Sequence, residues 1–157
     1  MQKIVPFLWF DGNGEEAVAF YTSVFKDAMT VHISRYGAGG PMPAGTMMSA
    51  TFRLFGQEFY ALNGGPYFQF SPAVSFFINC EDQAEVDYYW ERLTDGGVPQ
   101  PCGWLKDRYG LSWQVIPNRL GELLRDKDPM RAQRAMAAMM RMQKIDVALL
   151  DAAADSM

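Results

Sequence analysis

The sequence predicts an α+β protein: two tandem βαβββ modules, whose curled mixed sheets surround a cleft, and a C-terminal helix. The chain has 157 residues, 49% of them hydrophobic, which suits one ordinary domain. Two stretches, FLWFDGNGEEAVAFY and SFFINCEDQAEVDYY, align by residue type without a gap, as two copies of one supersecondary unit would. Within a single domain, 1–157, we predict module one at 1–65, module two at 72–120 and a helical tail at 121–157.

Module one begins with an apolar strand and an amphipathic helix. Residues 4–10, IVPFLWF, are apolar enough for a strand buried on both faces. Asn13 is the expected N-cap of the helix, in which apolar residues recur with the helical period. MTVHISRY predicts a second strand, and GAGGPMPAG a loop. TMMSATFRLF and EFYALN then predict a hairpin that turns at Gly56 and Gln57.

After the linker GGPYFQFSP, the same pattern restarts as module two. AVSFFINC predicts a strand, and Asp82 is the expected N-cap of a helix, with Glu85 in the capping-box position. Gly96 and Gly97 end that helix. PQPCGWL and LSWQVIP predict two further strands, so the second module is a shorter copy of the first.

The tail predicts one long helix. Pro129 suits the first helical turn after an Asp128 cap, and apolar residues from Met136 to Leu150 follow along one side. At about 1.5 Å per residue, this helix would reach roughly 35 Å. Two interpretations remain open, because methionine packs well into irregular surfaces. The helix either lies on its own sheet or forms a dimer contact.

Charge and cysteine content narrow the range of partners. The formal net charge of −4 argues against nucleic acid and anionic membranes, which require clustered Lys and Arg. No apolar run is long enough to span a bilayer, and the N-terminus lacks a small-residue cleavage site. Cys80 and Cys102 form no CxxC motif, so we expect free thiols in a reducing cytoplasm.

Four segments carry a family resemblance: PFLWFDGNGEEAVAFYTSVF, FGQEFYALNGG, FFINCEDQAEVDYYWERLTDGG and PCGWLKDRYGLSWQVIPNRL, which cover most of residues 5–121. With its tandem βαβββ units, the chain resembles the vicinal oxygen chelate superfamily of glyoxalase I, extradiol dioxygenases and bleomycin-resistance proteins. It is most similar to the PhnB-like, 3-demethylubiquinone-9 3-methyltransferase-like branch. The resemblance implies a small cytoplasmic homodimer with a cleft in the curl of its sheets.

The resemblance also implies where a metal would bind. Metal-dependent members of the superfamily use four ligands, usually His and Glu, from the first and last strands of each module. Carried over with a margin of one residue, these positions fall at 6–8, 60–62, 74–76 and 113–115. They contain no His, Asp, Glu or Cys, and only Gln114 offers a ligand-like oxygen, which is neutral. Because amides bind divalent metals poorly, we expect no metal and no cofactor.

Three other residues invite a functional interpretation. His32 is the only histidine, and a lone strand histidine is typically structural or at the surface. Cys80 and Cys102 would lie close together if their strands were neighbours. A redox pair or a thiol nucleophile would then need a lowered pKa, for which Cys80 precedes a helix N-terminus. We favour the interpretation that both cysteines are small buried residues without a chemical role.

An aromatic cleft is the predicted binding site. Aromatic walls with one or two amides suit an apolar or planar ligand, and Gln114 would orient a ligand carbonyl or amide. Strand alternation is expected to send about half of the aromatic candidates to the core instead. The predicted ligand-binding residues are Trp9, Tyr60, Phe77, Cys102, Trp104, Trp113 and Gln114.

These observations favour a metal-free protein that binds a small aromatic or amphipathic molecule, and not nucleic acid or membrane. The alternative is an enzyme of the same superfamily: a lyase or dioxygenase with an unorthodox site, or the methyltransferase of the branch's label. A methyltransferase of the common type would need a glycine-rich cofactor loop, and the prolines of GAGGPMPAG favour a hairpin connection instead. A purely structural dimer is the third hypothesis.

Overall fold

The computed structural model describes all residues, 1–157, and divides the chain into two compact units, residues 1–70 and 71–157. Both units follow the order βαβββ, so the predicted repeat and the α+β class are confirmed. No helix of the chain combines the length and the hydrophobicity needed to cross a membrane. The assembly of the two units into one domain, with sheets curled around a cleft, stays a prediction.

In the first unit, one helix covers one face of a four-stranded sheet. The elements are β1 (Phe7–Phe10), α1 (Gly14–Val24), β2 (Ala28–Arg35), β3 (Met47–Leu54) and β4 (Gln57–Asn63). The strand order is β1-β4-β3-β2, with β1 parallel to β4 and the other neighbours antiparallel. Helix α1 packs against β2, β3 and β4, and the Tyr21 ring stacks on Phe52.

The second unit repeats this topology with shorter strands. Its elements are β5 (Phe76–Cys80), α2 (Gln83–Thr94), β6 (Val98–Pro99), β7 (Trp104–Lys106) and β8 (Ser112–Pro117). The order β5-β8-β7-β6 matches that of the first sheet, with β5 parallel to β8. As predicted, the Asp82 side chain caps α2, where it accepts a hydrogen bond from the backbone N–H of Glu85 at 2.9 Å.

Three local expectations for the strands were wrong. Strand β1 is not buried on both faces, because Leu8 and Phe10 are buried whereas Phe7 is 57% exposed. The hairpin turns at Phe55 and Gly56, whose φ angles of 50° and 76° suit a tight two-residue turn, rather than at Gly56 and Gln57. PQPCGWL is strand only at its two ends, with a short helical turn at Pro101–Gly103 between them.

The tail is not one long helix but three short ones. They are α3 (Asn118–Leu124), α4 (Pro129–Met139) and α5 (Val147–Asp155). Asp128 caps α4 as predicted, and Asp146 caps α5. The three helices bury a common apolar cluster around Leu123, Ile145 and Leu150. Ile116 of β8 joins this cluster, so the tail packs on the end of its own sheet.

Asn63, not Asn13, caps helix α1. The Asn13 side chain makes no capping hydrogen bond. The buried Asn63 side chain at the end of β4 accepts a hydrogen bond from the backbone N–H of Gly14 at 2.8 Å and donates one to the carbonyl of Met47 at 3.0 Å. A Cβ at Gly14 would lie 2.8 Å from Asn63 Oδ1, so the close approach requires glycine. The cap therefore joins helix and sheet across the fold.

We expect Asn63→Ala to lower the free energy of unfolding by about 2 kcal/mol, because it leaves a buried N–H and a buried carbonyl without partners. Urea unfolding measures the change. Asn13→Ala is the matched control and should stay within about 0.5 kcal/mol of the wild type. Equal effects of the two substitutions would show that Asn63 is not the cap.

The turn between β7 and β8 is built around the buried carboxylate of Asp107. Its Oδ1 accepts hydrogen bonds from the backbone N–H groups of Tyr109 at 2.8 Å and Leu111 at 3.1 Å. Its Oδ2 accepts one from Trp113 Nε1 at 2.9 Å. Hydrogen bonds to an ionised acceptor are stronger than neutral ones, which offsets the cost of burying the charge. Asp107 thereby fixes both the turn and the position of β8.

Asp107→Asn should lower the free energy of unfolding by about 3 kcal/mol, because an amide replaces one acceptor oxygen by a donor and removes the charge. The same substitution at exposed Asp95, whose only ion pair is with Arg108 at the surface, should cost less than about 1 kcal/mol. Urea unfolding followed by tryptophan fluorescence gives both values. A small loss for Asp107→Asn would contradict this account of the turn.

Candidate functional site

Strand alternation divides the side chains of the second sheet between two faces. Trp113 and Val115 of β8 are buried, together with Leu105 of β7, on the face that packs against α2. Gln114 lies between them in sequence and therefore points to the opposite face. That opposite face has no helix of the βαβββ repeat on it. Along β8, its two flanking positions are buried, Ile116 by the tail and Ser112 at the other end, whereas Gln114 is half-buried.

Phe77, Gln114 and Trp104 form a row across the uncovered face, which we call the aromatic–amide row. Gln114 is the registered neighbour of Phe77 on β5 and of Trp104 on β7, so the amide lies between the two aromatic residues. Because neighbouring strands are about 4.8 Å apart, the two aromatic Cα atoms are roughly 10 Å apart. Phe77 is 51% exposed, and the other two side chains are half-buried.

A serine orients the central amide of the row. Gln114 Nε2 donates a hydrogen bond to Ser75 Oγ at 3.0 Å. The structure gives the Gln114 carbonyl oxygen no partner within the chain. Since a half-buried amide oxygen is a strong acceptor, it can take a hydrogen bond from a molecule that lies on the row. No role for Ser75 was predicted from the sequence. Its only signal there was that it falls within 74–76, one of the four metal-ligand positions implied by the resemblance.

Two predicted ligand-binding residues of this unit lie elsewhere. Trp113 is on the helix-covered face and bonded to Asp107, so it is a core residue rather than part of the row. Cys102 has a φ of 64° in the turn before β7, and its N–H donates to the carbonyl of Met142 at 2.8 Å. This contact holds the tail against the sheet.

The first unit contains the remaining two candidates, Trp9 and Tyr60. Both point to its uncovered face. There the Tyr60 ring packs edge-to-face with the Phe7 ring, with the ring centroids 6.2 Å apart. Trp9 is the counterpart of Phe77 in the repeat, but the linker after β4 covers it. Trp9 Nε1 donates to the carbonyl of Gly65 at 2.9 Å, and the Phe68 ring packs against the indole at 4.9 Å. Trp9 thus anchors the linker.

The two cysteines do not form the pair considered from sequence. Strand β8 lies between β5, which ends at Cys80, and β7, which follows Cys102, so the two strands are not neighbours. Both thiols are free, and Cys80 is buried. Burial, assisted by the negative charge of Glu85, raises the pKa of the Cys80 thiol to about 12 from an ordinary 9.0. A nucleophile would need the opposite shift.

We expect iodoacetamide at pH 8 to label Cys102 and leave Cys80 unlabelled until denaturant is added, because the thiolate fraction of Cys80 falls roughly tenfold per unit of pKa. Mass spectrometry of the digested protein measures both sites. The raised pKa also favours the folded state below pH 9.0, and this contribution is lost as the pH rises towards about 12. Labelling of Cys80 in the native protein at the rate of Cys102 would contradict the assignment.

Comparison with known proteins places the chain in a family. The model of the 3-demethylubiquinone-9 3-methyltransferase family matches residues 2–116. The chain belongs to this family. The PhnB protein of Bacillus cereus, described by the same methyltransferase name, is 41% identical, with a TM-score of 0.70 over 74% of this chain and 99% of that one. Protein PA1353 of Pseudomonas aeruginosa is 25% identical, with a TM-score of 0.62 over 74% and 98%.

More distant structures share the fold alone. A variant of the fosfomycin resistance protein FosX from Listeria monocytogenes, bound to Mn(II) and a dihydroxypropylphosphonic acid, is 16% identical, with a TM-score of 0.53 over 72% of this chain and 90% of that one. This chain therefore shares its fold with FosX. No curated protein matches the chain.

The residues of this chain do not fit the metal centre that the resemblance to the vicinal oxygen chelate superfamily implied. The strand pairs that would supply ligands place Phe7 beside Tyr60 and Phe77 beside Gln114. No three His, Cys, Asp or Glu side chains of the chain come together as a metal site would require. His32 is exposed on β2 and bonds only to Ser34, at 3.1 Å.

Proposed function

We propose that this protein binds a small aromatic or amphipathic molecule on the aromatic–amide row, without a metal. The observation that carries the proposal is the arrangement of the row itself. Two aromatic side chains flank one amide, across three registered strands, on a sheet face that no helix of the repeat covers. Apolar walls with one fixed polar group are the usual composition of a small-molecule site.

Each residue of the row has a distinct role in the proposed complex. Phe77 offers an exposed ring face or edge for offset or edge-to-face packing with a ligand ring. Trp104 forms the opposite wall. Gln114, held by Ser75, presents its carbonyl oxygen to a donor on the ligand. The fixed amide orients the ligand, whereas burial of the two aromatic surfaces supplies most of the affinity.

The family name offers a second function, methyl transfer, and the cofactor fit argues against it. The glycine-rich loop at 37–45 joins the antiparallel strands β2 and β3 and is exposed along most of its length. A cofactor cradle of the common methyltransferase type lies between a parallel strand and a helix N-terminus. The residues present do not provide one. An enzyme with an unorthodox site stays the alternative.

Two further features of the proposal come from the resemblance to the superfamily. We propose that the protein acts in the cytoplasm and as a homodimer, without nucleic acid or membrane as a partner. The net charge of −4 supports the exclusion of polyanions.

Phe77→Ala and Gln114→Ala should each weaken the binding of naphthamide about tenfold, since each removes an interaction of about 1–1.5 kcal/mol. Isothermal titration calorimetry measures the dissociation constants. Phe55→Ala is the control, because Phe55 is 56% exposed, close to the 51% of Phe77, but lies in the first unit. The proposal fails if naphthamide does not bind, or if all three variants bind it as the wild type does.

A further inference from the structure

The tail forms a pocket at the end of the aromatic–amide row. A depression of about 370 Å³ opens beside the carboxyl ends of β5 and β8, with α3 as its outer wall. Phe77 and Ile116 supply its apolar surface, and Asn79, Asn118, Glu122 and Arg125 supply its polar groups. Since Phe77 belongs both to the row and to this pocket, one molecule can occupy the two. The volume lies in the range of small-molecule sites.

Arg125 is an uncompensated cation in this pocket. Its guanidinium takes part in no ion pair and no hydrogen bond of the chain. Two other arginines of the tail are paired, Arg119 with Asp151 at 2.7 Å and Arg131 with Asp155 at 2.6 Å. Arg141 is also unpaired, but it does not line the pocket. The one carboxylate in the pocket wall, Glu122, pairs with Arg119 at 3.1 Å. Arg125 is therefore free to bind an anion.

A glycine makes room for this guanidinium. Gly121 lies one helical turn before Arg125 in α3, and a Cβ there would lie 3.3 Å from Arg125 Nη1. The Arg125 side chain thus folds back over the bare surface of Gly121. Asn79 and Asn118 also line the pocket, and neither side-chain amide makes a hydrogen bond within the chain. The pocket accordingly holds one cation and two uncommitted amides next to an aromatic ring.

We propose that this pocket binds the carboxylate of an aromatic carboxylic acid, whose ring lies on Phe77. This inference rests on the proposed function and names the class of its ligand. The planar guanidinium of Arg125 matches a carboxylate with two parallel hydrogen bonds, and the asparagine amides can donate to the remaining lone pairs. Glu122 stands beside the site and repels a dianion more than a monoanion, so a carboxylate fits better than a phosphate.

The pocket depends on a part of the chain outside the family match. That match ends at residue 116, whereas α3 begins at Asn118. The aromatic ring of the ligand would therefore contact a strand of the shared fold, and its acid group would contact the tail.

Calorimetry with naphthoate and its neutral counterpart naphthamide tests the inference on the full chain. The wild type should bind naphthoate at least tenfold more tightly. Arg125→Gln should remove that preference while the affinity for naphthamide stays unchanged. Glu122→Gln should increase the preference for naphthoate. Arg141→Gln is the matched control, an exposed tail arginine that does not line the pocket. The melting temperature of each variant without ligand establishes that it is folded.

Three outcomes would overturn the inference. The first is equal affinity of the wild type for naphthoate and naphthamide. The second is the same loss of naphthoate affinity in Arg125→Gln as in Arg141→Gln. The third is tighter binding of naphthyl phosphate than of naphthoate. In each case naphthamide binding that depends on Phe77 would leave the proposed function standing. Absence of binding by every aromatic probe would instead overturn the proposed function itself.

Discussion

Each sheet of this protein has two faces, and each βαβββ unit supplies only one helix to cover them. Side chains alternate along a strand, so the helix-facing positions must be apolar and buried, and the intervening positions remain uncovered. Strand β8 shows the consequence, because Trp113 and Val115 are buried against α2 while Gln114 between them is not. A sheet face that met only water would be expected to bear polar and charged side chains. This uncovered face instead bears the aromatic side chains of the aromatic–amide row.

The two units have the same topology but differ in how their helices are capped and how their aromatic side chains pack. Helix α2 begins at a local cap, Asp82, whereas α1 depends on Asn63 from the far end of the sheet. Trp9 and Phe77 occupy equivalent positions, yet the linker packs on Trp9 while Phe77 stays half exposed. A duplicated fold thus leaves one aromatic position structural and the other accessible, which places the proposed site in the second unit.

The sequence predicted those features that depend on local periodicity. The repeat and the Asp82 and Asp128 caps follow from residues close together in the chain. The cap of α1 could not be found this way, because Asn63 is 49 residues from Gly14. Gln114, Phe77 and Trp104 were predicted individually, but their common row depends on strand register. Trp113 was misjudged since its side of the strand is fixed by Asp107 and α2.

In the proposed site, the tail selects the polar group of the ligand, so a shared fold need not mean a shared ligand. In a sheet with one uncovered face, the βαβββ topology itself positions the strand residues that contact the aromatic ring of a ligand. Recognition of a polar group requires a charge or an amide held against that face, and a third layer can supply it without altering the sheet. Here the helices after β8 form such a layer, and α3 brings Arg125 beside Phe77 because Ile116 anchors the tail cluster on the same strand. Under the proposed function, we expect relatives with a different tail to bind an aromatic ring as well and to differ in the acid or base that they select.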